Sequence, residues 1–280
     1  MKRVKRTGEK NGLFILLNVI LSVIWLLPIY WAFVTSVKTN REIYSGITLF
    51  PRNFTAANYH TLFSYKDGLV LEWLRNSFFV CVITMLAVTA IAVLAGFAFS
   101  KLELPCKFLW LSMISFTLMV PVTALLVPLY NTMSQIGLLG TLWSSILIYI
   151  TFQTPFCTLM MKRSFDMVPK ELREAALVDG ASSFQIFRRI YVPLALPGTI
   201  TVLVYSAYHT WNDYTVALTF GGGSLKTFNI GLVDLLTAST DMMDWGMLTS
   251  GSVVGMLPIL VLFLFLQKYF VKGMMSGAVK

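Results

Sequence analysis

The chain has 280 residues, of which 56% are hydrophobic and only 12% charged, with a mean hydropathy of +0.73. That is more apolar surface than one soluble core of this length buries, so a soluble domain is excluded and an all-α polytopic membrane protein is expected. The formal charge of +9 does not make a nucleic-acid groove, because Lys and Arg stand between apolar runs instead of gathering on one soluble surface.

Lys2, Arg3, Lys5, Arg6 and Lys10 precede an uncharged run over 13–37. The run is too long for a secretory signal and lacks a small-residue cleavage site, so it reads as a retained first span. A polar, aromatic loop follows from Lys38 to Arg75. The second span, 76–100, carries Ala92, Gly96 and Ser100 at four-residue steps, a spacing that lets another helix approach closely. After the short charged loop Lys101–Lys107 there is no Asp, Glu, Lys or Arg before Lys162, a length that crosses twice. Gln135, Gly137 and Gly140 place the reversal at 131–141, giving spans of 108–130 and 142–161 in which Pro121, Pro128 and Pro155 are expected kinks. A polar stretch over 162–195 precedes a fifth span at 196–220. Gly221-Gly222-Gly223 then opens an outer loop to Gly246, and the sixth span covers 248–267, with Gly251 and Gly255 again at close-packing spacing. No repeat or linker divides the chain, so one transmembrane domain over 1–280 is expected. With both termini cytoplasmic, 16 of the 22 Lys and Arg residues fall inside, which satisfies the positive-inside rule and puts 162–195 in the cytoplasm.

The 162–195 stretch reads as two short helices. Pro169 suits a helix's first turn, Glu171 and Glu174 put negative charge near that end of the dipole, and the helix runs to Val178. Asp179-Gly180 supplies the turn. Ser182 with Gln185 forms a capping box for the next helix, whose apolar face is Phe184, Phe187 and Tyr191, with Arg188 and Arg189 in its last turn. The small residues at the corner make a compact knob suited to a cleft in another protein. Its candidate docking residues are Glu174, Ala175, Ala176, Asp179, Gly180 and Ala181; the plainer reading is a solvated charge beside an ordinary turn.

In the fifth span Tyr205, His209, Asn212 and Asp213 follow three- and four-residue steps and share one face. They are candidates to line a path, the alternative being interhelical bonds for His209 and an interfacial position for Asp213. Cys81, Cys106 and Cys157 lack metal-ligand spacing and read as free thiols. There is no Walker A pattern and no nucleophile with a base, and neither His60 nor His209 has a partner at metal spacing; no enzyme, cofactor or metal site is expected.

The run Glu174-Ala175-Ala176, then Gly180, Ile190 and Pro193, resembles the EAA motif of ABC importer permeases, with Val192 where the pattern has Leu. Trp211-Asn212-Asp213-Tyr214 with Leu218 is similar to a fifth-span segment of the carbohydrate-type members, and Phe270–Gly273 to Gly277–Lys280 to their C-terminal ending. The similarity covers essentially the whole chain and is nearest the maltose-permease-G-type subunit. It implies the type I importer fold, a bacterial-type inner membrane and import of a sugar or oligosaccharide. It further implies a heterodimer with a second permease, two ATPase subunits that bind ATP and Mg, and an extracytoplasmic solute-binding protein. In that family the Glu at the position of Glu174 pairs with a basic residue of the ATPase, and the Gly at the position of Gly180 makes the corner. The outer loops 38–75 and 221–245 would be candidates to meet the binding protein, or plain solvated connections. The alternatives are a secondary transporter, disfavoured because the spans hold almost no ionisable residue near midplane, an importer of another small solute, and a structural or assembly subunit without a path of its own.

Overall fold

A backbone in hydrocarbon has only itself to bond to, so the apolar runs become helices. The computed structural model describes residues 8–221, 225–237 and 243–276, and within them the only pairing of extended chain is one isolated bridge, Lys38 to Phe54. In chain order the helices are α1 (Gly8–Ser36), α2 (Asn40–Ser45), α3 (Ala57–Ser64), α4 (Leu69–Lys101), α5 (Lys107–Thr117), α6 (Leu126–Gln135) and α7 (Leu142–Asp166). There follow α8 (Glu171–Val178), α9 (Ser183–Ile186), α10 (Val192–Leu194), α11 (Leu196–Asn212), α12 (Thr215–Gly221), α13 (Phe228–Thr237) and α14 (Trp245–Ser276).

Among the described residues four helical stretches are long and apolar enough to cross a membrane, Phe14–Ser36, Ala57–Lys101, Leu142–Asp166 and Trp245–Gln267, and two bent pairs bring the number to six if each is one span. The expected third span, 108–130, is one of those pairs: α5 and the Val122–Gln135 segment meet at 87°. Pro121 is the cause, since it lacks an N–H and its ring crowds the carbonyl four residues back. Pro128 falls within the first turn of α6, where no N–H is missed, and does not kink it. The expected fifth span, 196–220, is also not one helix. It breaks at Asp213-Tyr214 into α11 and α12, and before it Ser183–Leu194 meets α11 at 71°.

Residues 1–70 with 232–256 form one compact unit and 71–231 with 257–280 a second. In the first, the loop after α1 is built around buried polar groups. Asn58 donates to the carbonyls of Ser36 at 2.8 Å and Lys38 at 2.7 Å. The Glu42 carboxylate accepts from Arg52 N at 2.8 Å, Thr48 Oγ1 at 3.1 Å and Asn53 N at 3.3 Å. Gly246 lies so close to Asn58 that a Cβ there would sit 2.5 Å from Oδ1.

In the second unit α4, α7 and α11 enclose a core that includes Val88, Ala92, Cys157, Met161, Phe165, Tyr191 and Val202. The small-residue spacing of the second span serves this contact: a Cβ on Gly96 would lie 2.6 Å from Met161 Cβ and 2.8 Å from Lys162 N. A second cluster joins Val80, Ile146, Ile148, Tyr149, Val216 and Phe220, fastening α12 to α7.

Candidate functional site

The 162–195 stretch starts later than its sequence suggests. α7 runs on to Asp166 and its last turn closes through Val168, whose N–H bonds to Phe165 O, so α8 opens at Glu171 with Pro169 just outside it. Its end is a Schellman turn: Gly180 N bonds to Leu177 O at 3.1 Å and Ala181 N to Ala176 O at 2.9 Å, with Gly180 at φ +78°. The next helix carries the expected capping box, Gln185 N to Ser182 Oγ at 3.3 Å and Ser182 N to Gln185 Oε1 at 2.8 Å. The two helices are thereby locked around a corner with little freedom.

Ala176 and Ala181 pack half-buried onto the core beneath, while Glu174, Ala175, Asp179 and Gly180 are exposed. Around Glu174 and Asp179 the loop also exposes apolar side chains, Val178 at 88% and Phe184 at 68%, with Leu172 and Leu177. The aromatic face expected of the second helix is split. α9 lasts only Ser183–Ile186 and the ladder then widens into a π-turn over Phe187–Tyr191, so helical spacing no longer holds: Tyr191 is buried and Phe184 is not.

A second constellation lies where α7 passes the break between α11 and α12. Asp213 Oδ1 accepts from Tyr149 Oη at 2.8 Å, Val216 N at 2.8 Å and Ala217 N at 3.2 Å, capping α12 and tying it to α7. One turn along, the buried Gln153 donates to Thr210 Oγ1 at 3.0 Å and accepts from Ser206 Oγ. Tyr205 lies between Phe156 and His209, with ring centroids 4.6 and 4.2 Å away. A cleft of about 180 Å³ is lined here by Tyr149, Phe152, Gln153, Tyr205, His209 and Asp213 among others. Three of the four fifth-span candidates therefore meet. Asn212 does not: it donates to Tyr208 O at 2.9 Å and lies exposed. Tyr149 and Gln153 escaped the sequence reading, although Gln153 is the sole amide in 142–161 and that alone marked it. Aromatic faces beside an amide, phenol and carboxylate suit a hydroxylated solute.

In the other unit Asn40 donates to Asp244 Oδ1 at 2.9 Å and accepts from Gly246 N at 3.0 Å, and Asn40, Arg41, Tyr44, Ser45, Met243 and Asp244 line an open cleft of about 590 Å³. Residues 222–224 and 238–242 of the expected outer loop, and 277–280 of the C-terminal ending, lie outside the described residues.

Compared with known proteins, the sequence matches the binding-protein-dependent transport system inner membrane component over residues 89–276. The chain belongs to that family. The permease is 33% identical to the sulfoquinovosyl glycerol transport system permease SmoH of Agrobacterium fabrum, over 93% of its own length and 91% of that protein's. It is also 33% identical to the trehalose transport system permease SugB of Mycobacterium tuberculosis, over 91% and 92% of the two chains. Its fold is that of a chain in the crystal structure of a bacterial ABC transporter involved in import of the acidic polysaccharide alginate, with a TM-score of 0.82 at 21% identity, covering 95% of the permease and all of that chain. The resemblance to carbohydrate-type ABC importer permeases holds, and the permease is a multi-pass inner-membrane transport component, not an enzyme.

Proposed function

We propose that this permease forms half of the translocation path of an ATP-driven importer for a sugar or oligosaccharide and receives its drive through the 162–195 loop. The observation that carries the reading is the rigid corner at Asp179-Gly180, which holds Val178 and Phe184 exposed beside Glu174 on a stretch too polar to enter lipid. A loop that spends a Schellman turn and a capping box on presenting apolar side chains to water is built to be covered by protein. Its partner is an ATPase subunit, one of two, which bind the ATP and Mg that this chain has no motif for. A second permease completes the path and an extracytoplasmic binding protein delivers the solute. Both termini and the loop are cytoplasmic, as the loop charges require.

Tyr205, His209 and Asp213, with Tyr149 and Gln153, line this subunit's share of the path; Asn212 is exposed and available to the second permease. A sugar is the favoured solute, since the relatives SmoH and SugB belong to transport systems for sulfoquinovosyl glycerol and trehalose and the cleft pairs stacking rings with hydrogen-bonding groups. The test is purification of the assembled importer bearing Val178→Asp or Glu174→Ala. The reading requires ATPase subunits to be lost or uptake to become uncoupled from hydrolysis; full occupancy with normal ATP-driven uptake in both variants would reject it.

A further inference from the structure

The last turn of α4 grips the docking loop at both of its roots. Lys101 Nζ donates to Val168 O at 3.0 Å, at the residue where the chain leaves α7 for the loop. The same ammonium stands 5.1 Å from the ring centroid of Tyr191, where the chain returns toward α11. Val168 and Tyr191 are buried, at 5% and 1% exposure, so these are fixed points rather than surface contacts. One turn earlier on α4, the Phe97 ring packs against Phe165 at 5.7 Å, Phe187 at 4.7 Å and Tyr191 at 5.3 Å, again touching both sides of the loop. Ser100 adds a third tie, donating to Asp166 Oδ1 at 2.6 Å. Asp166 is the acidic group facing the Lys101 ammonium, with Lys107, Lys170 and Arg173 the surrounding cations.

The covalent route out of the loop is not one continuous helix. It runs through the π-turn at Phe187–Tyr191 and then the 71° bend ahead of α11, where the helical ladder is interrupted. Lys101 bypasses that interrupted stretch, because one cation is bonded to the entry root and stacked on the exit root.

We propose that Lys101 is a positioning residue for coupling, the strut through which displacement of the docking loop is delivered to the second span. This rests on the reading of 162–195 as the ATPase-docking loop. The role needs a cation with an N–H donor, so Arg can fill it and Gln cannot, since Gln keeps a donor but loses the attraction to the Tyr191 ring.

The experiment uses the assembled importer in lipid, with Lys101→Gln, Lys101→Arg and Val178→Asp, and measures ATPase-subunit stoichiometry and solute moved per ATP hydrolysed. The expected result is that Lys101→Gln keeps its ATPase subunits and hydrolysis while solute per ATP falls about tenfold, with Lys101→Arg restoring most of it. A normal ratio in Lys101→Gln overturns the proposal, as does loss of the ATPase subunits in that variant, which would make Lys101 a support of the docking surface only. Val178→Asp, whose side chain is exposed, tests the docking reading by itself. If Val178→Asp keeps its ATPase subunits and normal ATP-driven uptake, the docking reading fails and the strut falls with it; if Val178→Asp loses or uncouples them while Lys101→Gln behaves as the native chain, the docking reading stands and only the strut is overturned.

Discussion

The Tyr149 phenol reaches across from α7 to the Asp213 carboxylate at 2.8 Å, and the oxygen that receives it also caps α12 through Val216 N and Ala217 N. One atom thus starts the second helix of the fifth span and fixes it to the fourth span.

Asp213→Ala should therefore lower thermal stability on two counts. Loss of the cap costs about 1 kcal/mol, and stranding the Tyr149 hydroxyl in a buried site adds about 1–3 kcal/mol. Asp213→Asn keeps an acceptor and should recover most of the loss. Melting of the purified permease, followed by tryptophan fluorescence, reads both variants; equal losses in the two would show that the charge, and not the hydrogen bonding, matters.

Two glycines should fail for different reasons. At Gly96 an added methyl meets Met161 Cβ at 2.6 Å and the Lys162 backbone at 2.8 Å, so Gly96→Ala forces α4 and α7 apart at a cost of about 1–3 kcal/mol. At Gly180 nothing lies within 4 Å, but φ is +78°, so Gly180→Ala costs about 1–2 kcal/mol of backbone strain. Gly180→Asn, which tolerates the left-handed region, should restore stability while Gly96→Asn should not. Denaturation midpoints of the four variants make the comparison.

Tyr191 buries its ring against Phe97 and Phe165, but its hydroxyl has no hydrogen-bond partner among the described residues. Tyr191→Phe keeps the ring under Lys101 and removes a desolvated polar group, so it should leave transport intact and raise stability by up to about 1 kcal/mol. A fall in melting temperature would mean that the hydroxyl is satisfied in the assembled importer.

Glu42 carries the pH dependence of the loop after α1. The Arg52 backbone N–H, helped by Asn53 N–H, the Thr48 hydroxyl and the Lys38 charge, outweighs burial and holds its carboxyl below the ordinary value. A carboxyl depressed in the folded state stabilises above its unfolded pKa, and that contribution is lost as pH falls through the folded pKa. Against Glu42→Gln, the native chain should be the more stable at neutral pH and the gap should narrow as pH falls below the ordinary carboxylate range. Parallel melting curves from pH 7 to pH 3 test it, and a constant gap across that range would count against the mechanism.

The sequence by itself determined the membrane class and the knob. Hydropathy and the charge-free intervals are summed over many residues, and the capping box and Asp-Gly turn are local chemistry, so each is written in contiguous residues. Pro121 as a kink and Gly96 as a close approach were legible for the same reason. Only the tertiary structure decided where the fifth span breaks, because the break is held by Asp213 accepting a bond from a residue far away in sequence, Tyr149. It also separated Asn212 from the cleft that Tyr205 and His209 line, since that face depends on which helix packs against α11. The grip of Lys101 on Val168 and Tyr191 was invisible in a stretch that read as a short charged loop: what joins the three residues is the packing of α4 against α7, and packing sets distances that chain order does not contain.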